Sequence, residues 1–176
     1  MNEANAPSID KSVRDQIVAL LPRLRRFCTA ITRSAELGDD LTQATIERAL
    51  SRIDQWRDGT KLDSWMFRIA QNINIDQARS RKTRGISVDI DVLDTVTGDD
   101  GREIVEARDG LARVQAAMAK LPEDQRALLA LVAIDGQSYK EAATILDIPI
   151  GTVMSRISRA RATLARSFAV IAHGGV

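Results

Sequence analysis

The sequence predicts an all-α protein of two small helical domains joined by an acidic, flexible linker. Three observations carry this. Apolar residues recur at three- and four-residue spacing over most of the 176-residue chain, the signature of amphipathic helices. No stretch alternates like a half-buried strand, Ile86 to Val92 ("ISVDIDV") coming closest. The charge is also segregated. Eight acids (Asp89, Asp91, Asp94, Asp99, Asp100, Glu103, Glu106 and Asp109) lie between Gly85 and Gly110 against only Arg102 and Arg108. That segment carries −6 and the rest of the chain +7, within a net charge of +1. The expected boundaries are 10–84 for the first domain, 85–108 for the linker and 109–172 for the second. A basic chain interrupted by an acidic strip has two readings. The strip is a solvated linker, or it repels or imitates the polyanion that the basic parts bind.

The first element follows from Ile17, Leu20, Leu21, Leu24, Phe27, Cys28 and Ile31, and the second from Ile46, Ala49, Leu50 and Ile53. The second opens with Asp39 and Asp40 in "DDLTQATIERAL". Acids at a helix start suit the helix dipole, and an acidic surface also suits a basic partner; local physics leaves both open. The third runs through Leu62, Trp65, Met66, Ile69 and Ile73 into the basic run "ARSRKTRG". On a helical projection Arg68, Asn72 and Arg79 share a polar face at about 240° to 280° from Leu62. Arginine beside an amide suits a nucleic-acid strand, the cations taking phosphates and the amide reading a base edge. Trp65 belongs to the apolar face and reads as core, whereas Phe67 lies off the stripe and suits a second interface.

Periodicity returns at Ile104, Leu111, Val114, Met118 and Leu121 and stops at Leu121-Pro122, because proline disfavours helix at the residue before it. "EDQRALLALVAID" restarts a helix, with Gly136 as its C-terminal cap. "SYKE", Ser138 to Glu141, has the spacing of a capping box. "DIP" breaks the short helix that follows, and a new helix begins around Ile150 to Thr152 with Pro149 at its edge. Two short helices across a tight turn read as helix-turn-helix. In the second of them Val153, Ile157, Ala160 and Leu164 fall within about 60° of each other and form the buried stripe. Roughly opposite lie Thr152, Ser155, Arg159, Ala162 and Arg166, with Arg156 flanking. No acid follows Asp147 in the chain. Hydroxyls and guanidiniums without a carboxylate suit the DNA major groove, where arginine pairs with guanine and Ser or Thr reaches bases or phosphates. A merely solvated basic face usually carries balancing acids.

Composition narrows the rest. Hydrophobic residues are 44% and aromatics 3%, so Leu, Ile, Val and Ala must build the core. One cysteine, Cys28, and one histidine, His173, allow no internal disulfide and no zinc-ligand cluster. No cofactor or metal is expected. No Ser-His-Asp set or phosphate-binding glycine loop points to an enzyme. No apolar run approaches the length of a membrane span, and residues 1–10 lack the basic and apolar regions of a secretory signal. A cytoplasmic protein without membrane insertion is expected.

Taken together, two blocks resemble bacterial sigma factors of the extracytoplasmic-function (ECF) group of the sigma-70 family. Asp39 to Lys82, with its D-D-L-x-Q start and W-x-x-R-I-A-x-N-x-x-I-D core, is similar to the sigma-two domain. Leu121 to Leu164, with L-P, G-x-S-Y-x-E-A-A and P-x-G-T-V-x-S-R-x-x-R-A-R, is similar to the sigma-four helix-turn-helix domain. The resemblance implies a transcription initiation factor, monomeric when free, that binds core RNA polymerase and promoter DNA and is held by an anti-sigma factor. It implies polymerase docking through Asp39, Asp40, Leu41 and Gln43. It implies capture of a flipped −10 base by the Trp56 to Ser64 loop with Lys61, Arg68, Asn72, Asp76 and Arg79. It further implies −35 readout by Thr152, Met154, Ser155, Arg156, Arg159 and Arg166, and an acidic linker that threads the polymerase channel with its charge in place of RNA phosphates. Met154 stands where many relatives carry Lys or Arg, which removes a phosphate or base contact or substitutes an apolar contact to a thymine methyl. The alternative is a sigma-like decoy that sequesters an anti-sigma factor without binding DNA; such a mimic has no need of the exposed arginines. An ordinary single helix-turn-helix regulator has no need of the first block.

Overall fold

The computed structural model of the chain describes residues 10–57, 59–83, 114 and 116–173. The linker expected at 85–108, with the extended stretch from Ile86 to Val92, lies outside the described residues, as do Ile104 and Leu111. Among the described residues every regular element is helical. In the first module α1 is Lys11–Thr32, α2 is Ala35–Ser51 and α3 is Leu62–Thr83, with a 3-10 turn at Ile53–Gln55 between the last two. In the second module α4 is Glu123–Leu129, α5 is Tyr139–Leu146 and α6 is Ile150–His173.

The local signals produce these elements in the expected way, with informative exceptions. Asp10 caps α1 by accepting from the Ser12 N–H, and Arg33 ends it in the left-handed region at φ 64°. Pro22 sits inside α1, where it removes one backbone bond. The carbonyl it would have served belongs to Val18; both residues lie on the exposed side of the helix, where water can take that carbonyl. The start of α2 corrects the sequence reading. Ser34 is its cap, accepting from the Leu37 N–H, so Asp39 and Asp40 lie a turn inside the helix and cap nothing. Gly38 makes the α1–α2 crossing possible: a Cβ there would meet Thr29 Cα at 2.7 Å and its backbone N at 2.9 Å.

In the second module α4 does not run unbroken to Gly136. It widens into a π turn at Ala130–Ile134, with the Asp135 N–H bonded to the Ala130 carbonyl at 3.0 Å. Gly136 then reverses the chain at φ +74°. The capping box of α5 is present in full: Ser138 accepts from the Glu141 N–H, and the Glu141 carboxylate accepts from the Ser138 N–H. Asp147 ends α5 in the left-handed region at φ 54°, and Pro149 accepts from the Thr152 and Val153 N–H groups to start α6.

The buried stripes match the periodicity closely. Ile17, Leu20, Leu24, Phe27, Cys28 and Ile31 are buried in α1, and Val153, Ile157 and Ala160 in α6. Leu21, Trp65, Ile69 and Leu164 are only half-buried, and Val114 is exposed. Phe67 takes up the second interface expected of it. It is fully buried, edge-on to Phe27 of α1 with ring centroids 5.1 Å apart, and the Arg23 guanidinium lies over its ring at 5.8 Å. The buried apolar residues of the two modules form one connected cluster, from Phe27 and Met66 through Leu128 and Leu131 to Ile145 and Val153. Helix α1 packs on α4 and its π turn, and α3 packs on α5. The two modules are therefore closed against each other.

Candidate nucleic-acid interface

Helix α6 is held at a fixed angle by the turn that precedes it, and its apolar stripe is committed to α4 and α5. What remains outside is the acid-free face. Met154, Ser155, Arg159 and Arg166 are exposed, and Thr152 and Arg156 are half-buried. Arg159 makes no ion pair among the described residues. Arg166 donates to the Thr163 hydroxyl at 3.2 Å, and Ser155 donates to the Thr152 carbonyl at 3.1 Å. Arg156 is the exception, since its Nε lies 3.0 Å from the Asp124 carboxylate of α4. Met154 is 52% exposed, an apolar side chain standing on a polar surface.

The α3 face is partly in use. Lys61, Arg68, Asn72, Asp76 and Arg79 are all solvent-exposed with the two modules packed together, although Arg68 reaches across to the second. It donates through Nε to the Ile145 carbonyl at 3.2 Å and through Nη2 to the Thr144 carbonyl. These are among the last carbonyls of α5, where a cation also meets the negative end of the helix dipole. Lys61 pairs with Glu141 of the capping box. Lys61 and then the Ser138 groups hold the Glu141 carboxyl down to about 2. Arg68 and Asn72 line a cleft of about 370 Å³ together with Asp124, Asp147 and Arg156. The structure thus brings residues expected to read two different promoter elements to one cleft.

On α2, Asp39, Asp40 and Gln43 are exposed. Asp39 accepts two bonds from Arg25, at 2.6 and 2.9 Å, and this hydrogen-bonded pairing holds its carboxyl below the ordinary range. Gln43 donates to Glu47 at 3.0 Å. Leu41 corrects the sequence reading: it is fully buried in the core, so it positions the helix and has no surface to offer polymerase.

Sequence reasoning missed the polar residues that join the modules. Arg23 of α1 donates through Nε to Asp135 at 2.9 Å and through Nη2 to Asp135 at 2.8 Å and Asp63 at 3.1 Å. Gln137 adds a bond to Asp135 at 2.8 Å, and Asn74 of α3 donates to Glu123 at 2.5 Å. Arg126 is 8% exposed and makes no ion pair among the described residues. It donates to the Ile31 carbonyl at the end of α1 and to the Leu121 carbonyl, both at 2.9 Å. Burial first, and then repulsion from Arg33, lower its pKa to about 10. One signal was available: Arg126 shares a helical face with Leu129 and Ala130, so the apolar side of α4 contains a cation.

Comparison with known proteins agrees with both halves of this description. Residues 111–164 match the family model described as Sigma-70, region 4, and residues 17–71 match the Sigma2 domain of PhyR. The chain is 37% identical over 153 residues to the ECF RNA polymerase sigma factor EcfG of Rhodopseudomonas palustris, covering 87% of this chain and 83% of the relative. It superposes on the sigma factor RpoE of Bartonella quintana, solved with the anti-sigma factor NepR, at a TM-score of 0.77 and 28% identity, over 91% of this chain and 98% of that one. It superposes on CnrH, solved with the cytosolic domain of CnrY, at a TM-score of 0.69 and 25% identity, over 94% and 92%.

Proposed function

Because the chain belongs to the ECF sigma factors of the sigma-70 family, we propose that it is a transcription initiation factor that binds core RNA polymerase and directs it to promoters. The observation that supports this most is the outer face of α6, where Ser155, Arg159 and Arg166 stand exposed with no carboxylate among them. Such a face enters the major groove at the −35 element, with arginine reading guanine and the hydroxyls reaching bases or phosphates. Met154 replaces a charged contact there with an apolar one and suits a thymine methyl. On α3, Arg68, Asn72, Asp76 and Arg79, with Lys61 in the preceding loop, would hold the unpaired −10 strand. Pulling a base from its stack costs a few kcal/mol, so that site needs a fitted pocket as well as charge. Asp39, Asp40 and Gln43 of α2 would dock on polymerase. Domain limits of 10–84 and 109–172 fit this division, with 85–108 as the segment between.

Control by an anti-sigma factor is part of the same reading, since the sigma factor RpoE was solved with the anti-sigma factor NepR. The protein would act in the cytoplasm as a regulator rather than an enzyme. Among the described residues no helix is long and apolar enough to cross a membrane.

A second reading has one observation in its favour: the model that matches residues 17–71 is the sigma-two domain of PhyR, and PhyR with NepR is described as an anti-anti-sigma factor. A decoy of that kind binds an anti-sigma factor and no DNA. Run-off transcription with purified core polymerase over a genomic promoter pool separates the two. New discrete start sites preceded by a shared two-block motif are expected. No new transcripts, with tight binding to an anti-sigma partner, would establish the decoy.

A further inference from the structure

We infer that Arg156 is a positioning residue of the recognition helix, turned inward onto α4, and not one of its DNA contacts. The inference rests on the reading of α6 as the −35 helix and gives one of its arginines a different task. Arg156 has the same chemistry as Arg159 and Arg166, but its place on the helix sets it apart. At about 100° per residue it lies about 40° from Ala160 of the buried stripe and about 60° from Arg159 of the outer face. Its side chain is 31% exposed, with Nε 3.0 Å from Asp124 Oδ2. It lines the cleft together with Asp124 and Ala127 of α4. The other oxygen of that carboxylate is also in use. Asp124 Oδ1 accepts from the Gln125 N–H at 2.9 Å, which fixes how the carboxylate faces α6. Asp124 itself belongs to the first turn of α4, where the helix dipole favours an acid.

The pair ties the first turn of α4 to the second turn of α6. Val153, Ile157 and Ala160 already bury the inner side of α6, which packs on α4. Apolar burial is non-directional. A charged pair at the edge of the stripe adds a direction and opposes rotation of α6 about its own axis. Such a rotation would carry Thr152, Ser155, Arg159 and Arg166 out of register together, since they share the outer face. The sign of charge separates this role from a DNA contact. Asp124 is an acid near a helix that meets a polyanion, so on charge alone its loss would strengthen DNA binding. As the anchor of Arg156, its loss weakens binding instead. A phosphate contact counts equally on every sequence and adds to the salt slope, whereas helix orientation counts where bases are read.

The test uses the full chain assembled with core polymerase. The probes are the promoter duplex that gives the strongest run-off transcript and the same duplex with its −35 block scrambled. D124N and R156Q should each bind the promoter about five-fold more weakly. Binding to the scrambled duplex, and the slope of log affinity against log salt, should not change. The double variant D124N/R156Q should be no weaker than either single one, because both remove the same interaction. R156K keeps a cation beside Asp124 and should restore most of the loss seen in R156Q. Circular dichroism checks that each variant is folded, and R156K serves if R156Q is not. Tighter promoter binding by D124N would overturn the inference. So would an equal loss on both duplexes in R156Q with a slope lowered by about one unit, which makes Arg156 a phosphate contact. Arg159→Ala, run alongside, tests the reading beneath. A loss with R159A but none with D124N or R156Q sinks the positioning role alone. If R159A also leaves promoter binding and the salt slope unchanged, α6 does not read the −35 element and both ideas fall.

Discussion

Cys28 shows how position decides the chemistry of a residue. The thiol is fully buried on α1, and burial outweighs its hydrogen bond with Thr42 and pushes the pKa up to about 12. The thiolate is the nucleophile, so Cys28 should not react with an aromatic disulfide reagent at pH 8 until the chain is unfolded; absorbance of the released thiol checks this. The sign for stability follows. The neutral thiol is favoured by folding, so its contribution is complete below about pH 9 and is lost as pH rises towards 12. Arg159 is the opposite case, an exposed cation without an ion-pair partner among the described residues. Arg159→Ala should weaken promoter binding and lower the slope of log affinity against log salt by about one unit. An unchanged slope with relaxed sequence preference would instead assign Arg159 to a base edge. Arg126 and Leu41 complete the residue scale: one is a cation inside the core, the other an apolar residue that the helix needs for itself.

Single helices depend on a few local devices, and two are open to measurement. Gly38 permits the crossing of α1 and α2, because a side chain there runs into the Thr29 backbone. Gly38→Ala should force the helices apart and cost about 1–3 kcal/mol, read as a fall in the thermal midpoint. The second device is the capping box of α5. Ser138→Ala removes one of its two reciprocal bonds and should cost about 1 kcal/mol. The partner carboxyl titrates low: Lys61 and then Ser138 hold Glu141 to about 2. That contribution is present above the ordinary carboxyl range and lost as pH falls from about 4.5 towards 2. Glu141→Gln should therefore flatten the acid limb of the stability curve over that window, measured by denaturant titration at a series of pH values. The π turn at Ala130–Ile134 belongs at this scale too. It delivers Asp135 to Arg23 and Gln137 to the Asp135 carboxylate, so a local irregularity of α4 serves the interface between modules.

At the scale of the molecule, the closed packing places one apolar centre between two modules that each present a different surface. Asp40 of α2 remains free of ion pairs among the described residues, whereas Asp39 already holds Arg25. Asp40→Lys is therefore the cleaner substitution. It should abolish binding to core polymerase in a pull-down while leaving the fold intact by circular dichroism; retained binding would remove Asp40 from the docking surface.

The sequence by itself determined most of the helices, the capping box of α5 and the outer face of α6. Periodicity located the stripes of α1, α3 and α6, "SYKE" located the start of α5, and the absence of acids after Asp147 marked the outer face of α6. All of these are set by spacing within one turn or two, which is why they are legible along the chain. Only the tertiary structure decided that Leu41 is core and that Arg68 and Lys61 face α5. Those outcomes depend on residues distant in sequence: Arg68 meets carbonyls 76 and 77 positions away, and Arg126 meets one 95 positions away. No local pattern encodes such pairings, because a guanidinium bonds a backbone carbonyl whatever side chain stands beside it.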